Sequence, residues 1–396
     1  MTVTTESVRS ALEQAAPEQN AIESHLNPVG SFDVADHPVP TGREEIWRFT
    51  PLKRLAGALD DAPSDEGAAT YETSGPAEFF VGTLAPGQAP RGKALVPDDR
   101  ASAVASKNTP EALHVKVPAD TVLDEPLGLT VTGVAGKRSN AHTVLEAGTH
   151  SKFTFVLDHR GSGVHAGNLE VVVGDGADVT VVSLQDWDDD AVHVGTHEAK
   201  VGRDARYKHV MISFGGSVVR VNANASYAGP GGEAELLGLY FADEGQHLEH
   251  RLFVDHDAPR TKSHVTYKGA LQGDKAHTVW VGNVLIRKIA EGIETYEENR
   301  NLVLTDGCQA DSIPNLEIET GEIEGAGHAS ATARFDDEQL FYLRSRGVPE
   351  EEAQRLVVHG FFNDLIRKVG VPALEEKLMA TVETELAKNV LKELVS

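Results

Sequence analysis

Between residues 77 and 320 the chain is cut into more than a dozen short β-rich runs, and no helical repeat of convincing length interrupts them. EFFVGTL, LGLTVTGV, KFTFVL, DVTVVSL, VVRVNANASY, AELLGLYF, HLEHRLFV and HTVWVGNVLI typify them. Gly, Asp and Asn turns such as GDGAD (174–178) and AGPGGE (228–233) separate them. This many strands in one stretch restricts the fold to a sandwich, a barrel or a β-helix. The lack of a strict sequence period favours two large sheets or an irregular solenoid, and the pattern alone does not choose between these.

The ends have a different texture. Glu6 to Ala16 carries Val8, Leu12 and Ala15 at helical spacing, and Glu44 to Leu55 carries Trp47, Leu52 and Leu55, with HPVPTG (37–42) as a breaker between them. Residues 60–76 read as a polar linker. After residue 335, Pro349 followed by Glu350, Glu351 and Glu352 marks a helix start, and Arg367 and Lys368 sit at its far end, all favourable to the helix dipole. Ala353, Leu356, Val357, Gly360, Phe361 and Leu365 are expected to share one face. A last helix has Leu374, Leu378, Val382, Leu386, Val390 and Leu394 at four-residue spacing. Three regions follow: 1–76, N-terminal helices and linker; 77–334, the β core; 335–396, a C-terminal helical domain.

Charge and thiol content exclude several functions. Thirty-six Lys and Arg against 61 Asp and Glu give a net charge of −25, spread along the chain. Such a surface repels phosphate backbones and anionic lipid, so neither nucleic acid nor membrane is an expected partner. Dispersed acidity of this kind suits solvation in a salty cytoplasm. No run of ~18 apolar residues provides a membrane span, and the opening MTVTTESVRS lacks the basic and apolar parts of a secretory signal, so the expected location is the cytoplasm. The single cysteine cannot make an intrachain disulfide, nor supply the four thiolates of an iron–sulfur cluster.

Several near-motifs read as structure. Gly87-Gln-Ala-Pro-Arg-Gly92-Lys93-Ala94 has phosphate-loop spacing, but Ala94 stands where a hydroxyl would hold magnesium. If ATP matters, another chain hydrolyses it. Gly161-Ser-Gly163 reads as a turn. His247 and His250, three apart in a strand, point to opposite faces and cannot share one ion. No GxSxG elbow is present. Asp255 and Asp257 would serve a carbohydrate-active β-helix enzyme only if gathered with other carboxylates in a groove. Cys308 and His328 are competent iron ligands 20 residues apart. If one solenoid coil takes about that length, the two stack on adjacent rungs, ~5 Å apart.

IPNLEIETGEIEGAGHASATARFDDEQLFYLRSRGVPEEEAQRLVVHGFFNDLI (313–366) closely resembles the SufB/SufD family of iron–sulfur cluster assembly proteins. Residues 245–286 and 294–306 look like the β domain of the same family, and EEIWRFTPLKRL (44–55) is similar to SufD in particular. The resemblance covers about residues 40–370. It implies a mainly β fold, a right-handed parallel β-helix core flanked by N- and C-terminal α-helical regions. It also implies a scaffold subunit rather than an enzyme, paired with a SufB-like paralogue and carrying a SufC-like ATPase on its C-terminal helices. Sulfur would arrive from a donor through the complex. The groups it implies are a transient iron or iron–sulfur cluster shared with the partner, and a flavin. His328 matches the histidine of the SufD motif at the interface, although Ala-Gly-His-Ala-Ser-Ala departs from the usual Ser-His-Gly-Ala. Cys308 falls where SufB has its cluster-associated cysteine, which leaves a SufB-like primary scaffold as the alternative. Leu340, Phe341, Tyr342, Arg344, Arg346, Phe361 and Phe362 are the expected ATPase-docking residues.

Overall fold

The computed structural model describes residues 26, 29–334 and 337–393. Its strands are β1 (Ala69–Ser74), β2 (Phe80–Leu84), β3 (Ala112–Val117), β4 (Leu127–Gly133), β5 (Arg138–Ala147), β6 (Lys152–Gly161), β7 (Val164–Val173), β8 (Asp178–Trp187), β9 (Val192–Val201), β10 (Arg206–Ser213), β11 (Val218–Tyr227), β12 (Glu233–Ala242), β13 (His247–His256), β14 (Lys262–Leu271), β15 (His277–Ile286), β16 (Glu294–Val303), β17 (Gln309–Ile318) and β18 (Gly325–Arg334). They form two nine-stranded sheets. From β3 onward, odd and even strands alternate between the sheets, so the chain winds as a parallel solenoid of about eight turns. Only β1 on β4 and β2 on β3 pair antiparallel, at the start of each sheet.

Alternation along each strand divides the lumen from the outside. On β12, Ala234, Leu236, Tyr240 and Ala242 face the lumen core, while Leu237, Leu239 and Phe241 belong to a second apolar layer. The run AELLGLYF is therefore apolar on both faces because both are covered. The outer cover comes from two helices, α3 (Glu350–Val369) and α4 (Pro372–Glu393), which place Val358, Phe362, Leu365, Ile366, Leu378 and Val382 on that layer. Gly370, at φ +74°, closes α3 in the left-handed conformation that glycine adopts without strain. On the other sheet, Trp47, Leu55, Ala58 and Leu59 cover Val192, Val194 and Val218 together with the short helix α1 (Arg100–Lys107), whose N-terminus Asp99 caps by accepting from the Ser102 amide at 2.8 Å.

Three expectations about the flanks change. Glu44–Leu55 is not an α-helix but two 3-10 turns, Glu45–Trp47 and Leu52–Arg54, separated by Pro51 and held by tertiary contacts. Residues 69–74, read as linker, are strand β1, and an α-helix, α1, stands at 100–107, inside the stretch read as β core. The buried face of α3 is rotated from the expected one. Val358 and Phe362 are fully buried, whereas Leu356 is exposed. The Glu6–Ala16 segment, and the side chains of Val390 and Leu394, lie outside the described residues. Among those described, no helix is long and apolar enough to cross a membrane.

Inside the lumen, Gly238 pairs with Tyr267 and Tyr240 with Gly269 across β12 and β14. Each tyrosine ring lies over the glycine of the neighbouring coil, where a Cβ would collide with it. The Tyr240 ring cannot yield, because its hydroxyl donates to Asn301 Oδ1 at 2.7 Å and accepts from Asn299 at 2.8 Å. Gly269→Ala is expected to lower stability by about 2–3 kcal/mol, as overpacking of a rigid core does. Denaturant midpoints measure this; a loss under about 0.5 kcal/mol would show that the rings can move aside.

Candidate functional site

The last coil leaves the solenoid open. β17 and β18 each have one neighbour in their sheets, and their residues are half-buried or exposed where earlier strands are buried. His328 sits on β18 in register with Glu297 of β16, at the mouth of the lumen. Its side chain is 43% exposed, against 1% for Glu297, and its Nδ1 stands 3.8 Å from Glu297 Oε1, beyond hydrogen-bond length. Neither carboxylate oxygen of Glu297 has a hydrogen-bond partner. Gly282, on β15, makes room for this carboxylate, since a Cβ there would strike Glu297 Oε2. Across the mouth, Ser330 donates to Ser312 at 2.8 Å and ties the two sheets together.

Burial pushes the Glu297 carboxyl from its ordinary 4.5 up to about 8. The folded protein therefore holds a proton that the unfolded chain releases above about 4.5. Native Glu297 costs stability increasingly as pH rises from about 4.5 to about 8. Glu297→Gln removes that cost, so the variant gains on the wild type across this window by up to ~1.4 kcal/mol per pH unit, the limit for one proton. Urea midpoints at pH 5 and pH 8 test this; parallel pH profiles would refute it.

Cys308, just before β17, is free and half-buried. Its Sγ donates to the Gly273 carbonyl at 3.3 Å and lies 3.5 Å from Thr305 Oγ1. The expected stacking of Cys308 and His328 on adjacent rungs does not occur. Arg206 pairs with Asp178, and Glu294 with Lys262, so a coil takes roughly 26–32 residues rather than 20. A 20-residue separation carries the chain from one sheet across to the other, and the residue stacked beneath His328 is Glu297.

The expected docking residues divide. On α2 (Asp337–Ser345), Phe341 and Tyr342 are 72% and 57% exposed. The Arg346 guanidinium lies over the Tyr342 ring, and Arg344 pairs with Glu350 at 3.2 Å across the turn into α3. The Leu340 side chain lies outside the described residues. Phe361 is half-buried beside Lys268, and it lines a cleft of about 720 Å³ between α3 and the last strands. Phe362 is fully buried against the sheet, so it holds the helix down and is not available to a partner.

The near-motifs resolve as structure. The Gly92 and Ala94 amides of the phosphate-loop mimic donate to the carboxylate of Glu170, at 2.8 and 2.7 Å. His250 faces the lumen and bonds Ser213 at 2.9 Å, while His247 faces the other way, toward His277 and Glu249. Asp255 is held by Arg287 and Asp257 by Lys200, all at 2.7 Å, so neither of these two carboxylates stands free. Glu297 was not singled out in the sequence. Its signal is the inward set Thr295, Glu297, Asn299 and Asn301, polar where a lumen is normally apolar.

A family model described as the SufBD core domain of the SUF system for iron–sulfur cluster assembly matches residues 130–361, more than half of the chain. The chain belongs to the SufBD family. An iron–sulfur cluster assembly SufBD family protein of Mycobacterium bovis is 54% identical over 90% of this chain and 91% of its own length. One from Mycobacterium leprae is 51% identical over 90% and 93%. A second M. leprae SufBD protein is only 26% identical, over 57% of this chain and 26% of its own length. The matched SufBD core contains β5 to β18 and both His328 and Cys308.

Proposed function

We propose that this SufBD chain is a SufD-like scaffold subunit of the cytoplasm and performs no turnover of its own. It pairs along β17 and β18 with a SufB-like paralogue, and its C-terminal helices carry a SufC-like ATPase. Iron or a nascent cluster is the cargo, held between the two scaffold chains. His328 lends an imidazole to it, and Cys308 lends a thiolate only after its bond to Gly273 is broken. The observation that carries this reading is a half-exposed imidazole on the open last coil, above a buried carboxyl with no hydrogen-bond partner.

Two further features support it. Parallel edge strands of ten residues offer unpaired backbone groups, which natural proteins cover or use for pairing. M. leprae has two dissimilar SufBD proteins, as pairing between paralogues requires. The exposed Phe341 and Tyr342 suit an ATPase contact, and the cleft between α3 and β18 gives movement of α3 a route to the last coil. The test is co-expression with a SufB-like paralogue and a SufC-like ATPase, followed by anaerobic isolation and assay of iron and sulfide, for the wild type and His328→Ala.

A further inference from the structure

Near the other end of the solenoid, three histidines converge inside the lumen. The triplets His165-Ala-Gly167 and His193-Val-Gly195 lie in register on β7 and β9, one coil apart. The opposite sheet supplies His159 from β6, in register with Gln185 of β8. All three are buried, and one ring nitrogen from each lies within 4.8 Å of the others.

We propose that His159, His165 and His193 bind one divalent transition-metal ion of the imidazole-preferring class inside the lumen. The hydrogen bonds present the rings for ligation. His159 Nδ1 lies 3.2 Å from both the Leu184 carbonyl and Gln185 Nε2, and His193 Nδ1 lies 2.5 Å from Gln185 Oε1 and 3.3 Å from Trp187 Nε1. Each ring is thus held on its Nδ1 side. His165 Nδ1 is bonded to Ser139 Oγ at 2.8 Å, which leaves its Nε2 to face the same space. Outer partners of this kind fix tautomer and ring direction in metal sites.

Two observations point to a ligand rather than to packed rings alone. His193 Nε2 has no partner although the residue is 1% exposed. A Cβ on Gly167 would stand 2.7 Å from His165 Nε2 and 3.5 Å from His193 Nε2, so the missing side chain leaves space where the two nitrogens converge. Gly167 does not have a positive φ, so backbone conformation does not demand glycine there. Nitrogens bound to a common ion at ~2.0–2.1 Å sit ~3.4 Å apart, so the rings must close by roughly an ångström. Three neutral imidazoles select zinc, cobalt, nickel or ferrous iron over magnesium and calcium, and leave a fourth position for water. Six coils separate β6 from β18, about 30 Å, so this site is independent of His328.

The test uses the full, tag-free chain carrying Cys308→Ser and His328→Ala, stripped with chelator and titrated with Co²⁺. One equivalent is expected to bind with a visible d–d band. Adding Gly167→Ala, or His193→Asn, is expected to weaken binding about tenfold or more while circular dichroism is unchanged. X-ray absorption of the Zn²⁺-loaded parent chain, which needs neither added substitution, is expected to show three imidazoles and no sulfur. Lack of stoichiometric binding, binding that survives both substitutions, or fewer than three imidazoles in the spectrum would each overturn the site.

Discussion

With alanine at residue 328, the assembly purified with its paralogue and ATPase is expected to keep wild-type subunit stoichiometry and lose about tenfold or more of its iron and sulfide, the usual scale for disturbing a metal site. The two readouts separate because of where His328 sits. Its side chain is 43% exposed and makes no hydrogen bond among the described residues, so trimming it costs little folding energy. Its neighbours on the strand, Gly327 and Ala329, show that β18 accepts small residues. What alanine removes is an imidazole at the proposed seam, above the buried carboxyl of Glu297. Undiminished iron and sulfide in an intact complex would dismiss the proposed role. Loss of the complex itself would mean that the histidine builds the interface instead.

Arg220→Ala is expected to cost about 3–5 kcal/mol, the scale for breaking a buried ion pair from one side. The Arg220 side chain is 1% exposed. It pairs with Asp99 at 2.8 Å and Glu249 at 3.4 Å, donates to the Ile46 carbonyl at 3.2 Å, and lies 3.9 Å over the Trp47 ring. Asp99 caps α1, and Thr50 donates to Glu249 at 2.7 Å, so one guanidinium pins the N-terminal segment to the sheet at three places. Burial alone would raise the Glu249 carboxyl, yet the His247 hydrogen bond and the charges of Arg220 and Arg251 hold it at about 2. Because that value lies below the ordinary 4.5, the Glu249 contribution is complete above about 4.5 and disappears as pH falls toward 2. Removing Arg220 flattens this acid limb. Guanidinium midpoints at pH 7 and pH 4, followed by tryptophan fluorescence, measure both effects; a loss below about 1 kcal/mol at pH 7 would mean that the arginine is no better than a surface pair.

The strands were legible in the sequence because Gly, Asp and Asn punctuate every corner, and a turn is a local property. Coil length was not, since it depends on how much chain each corner absorbs, and corners vary. Assuming 20 residues instead of about 30 put Cys308 beneath His328, where Glu297 stands. Residues 44–55 have helical spacing, but Pro51 breaks the run, and Arg54 reaches the Ser217 and Gly245 carbonyls, contacts that exist only once the sheet has formed. On α3 apolar residues adjoin one another at Leu356–Val358 and Phe361–Phe362, so periodicity could not tell Phe361 from Phe362; the layer of Leu237, Leu239 and Phe241 decides which one is covered. The family motif located His328, whereas its carboxyl neighbour emerged only from register.

An uncapped final rung has a consequence for the cell that makes it. Each copy leaves the ribosome with an incomplete end that nothing among the described residues finishes. On the proposed pairing, any surplus of this polypeptide over its partner would be aggregation-prone material, which would favour synthesis of the two in matched amounts, from one transcript or under one control.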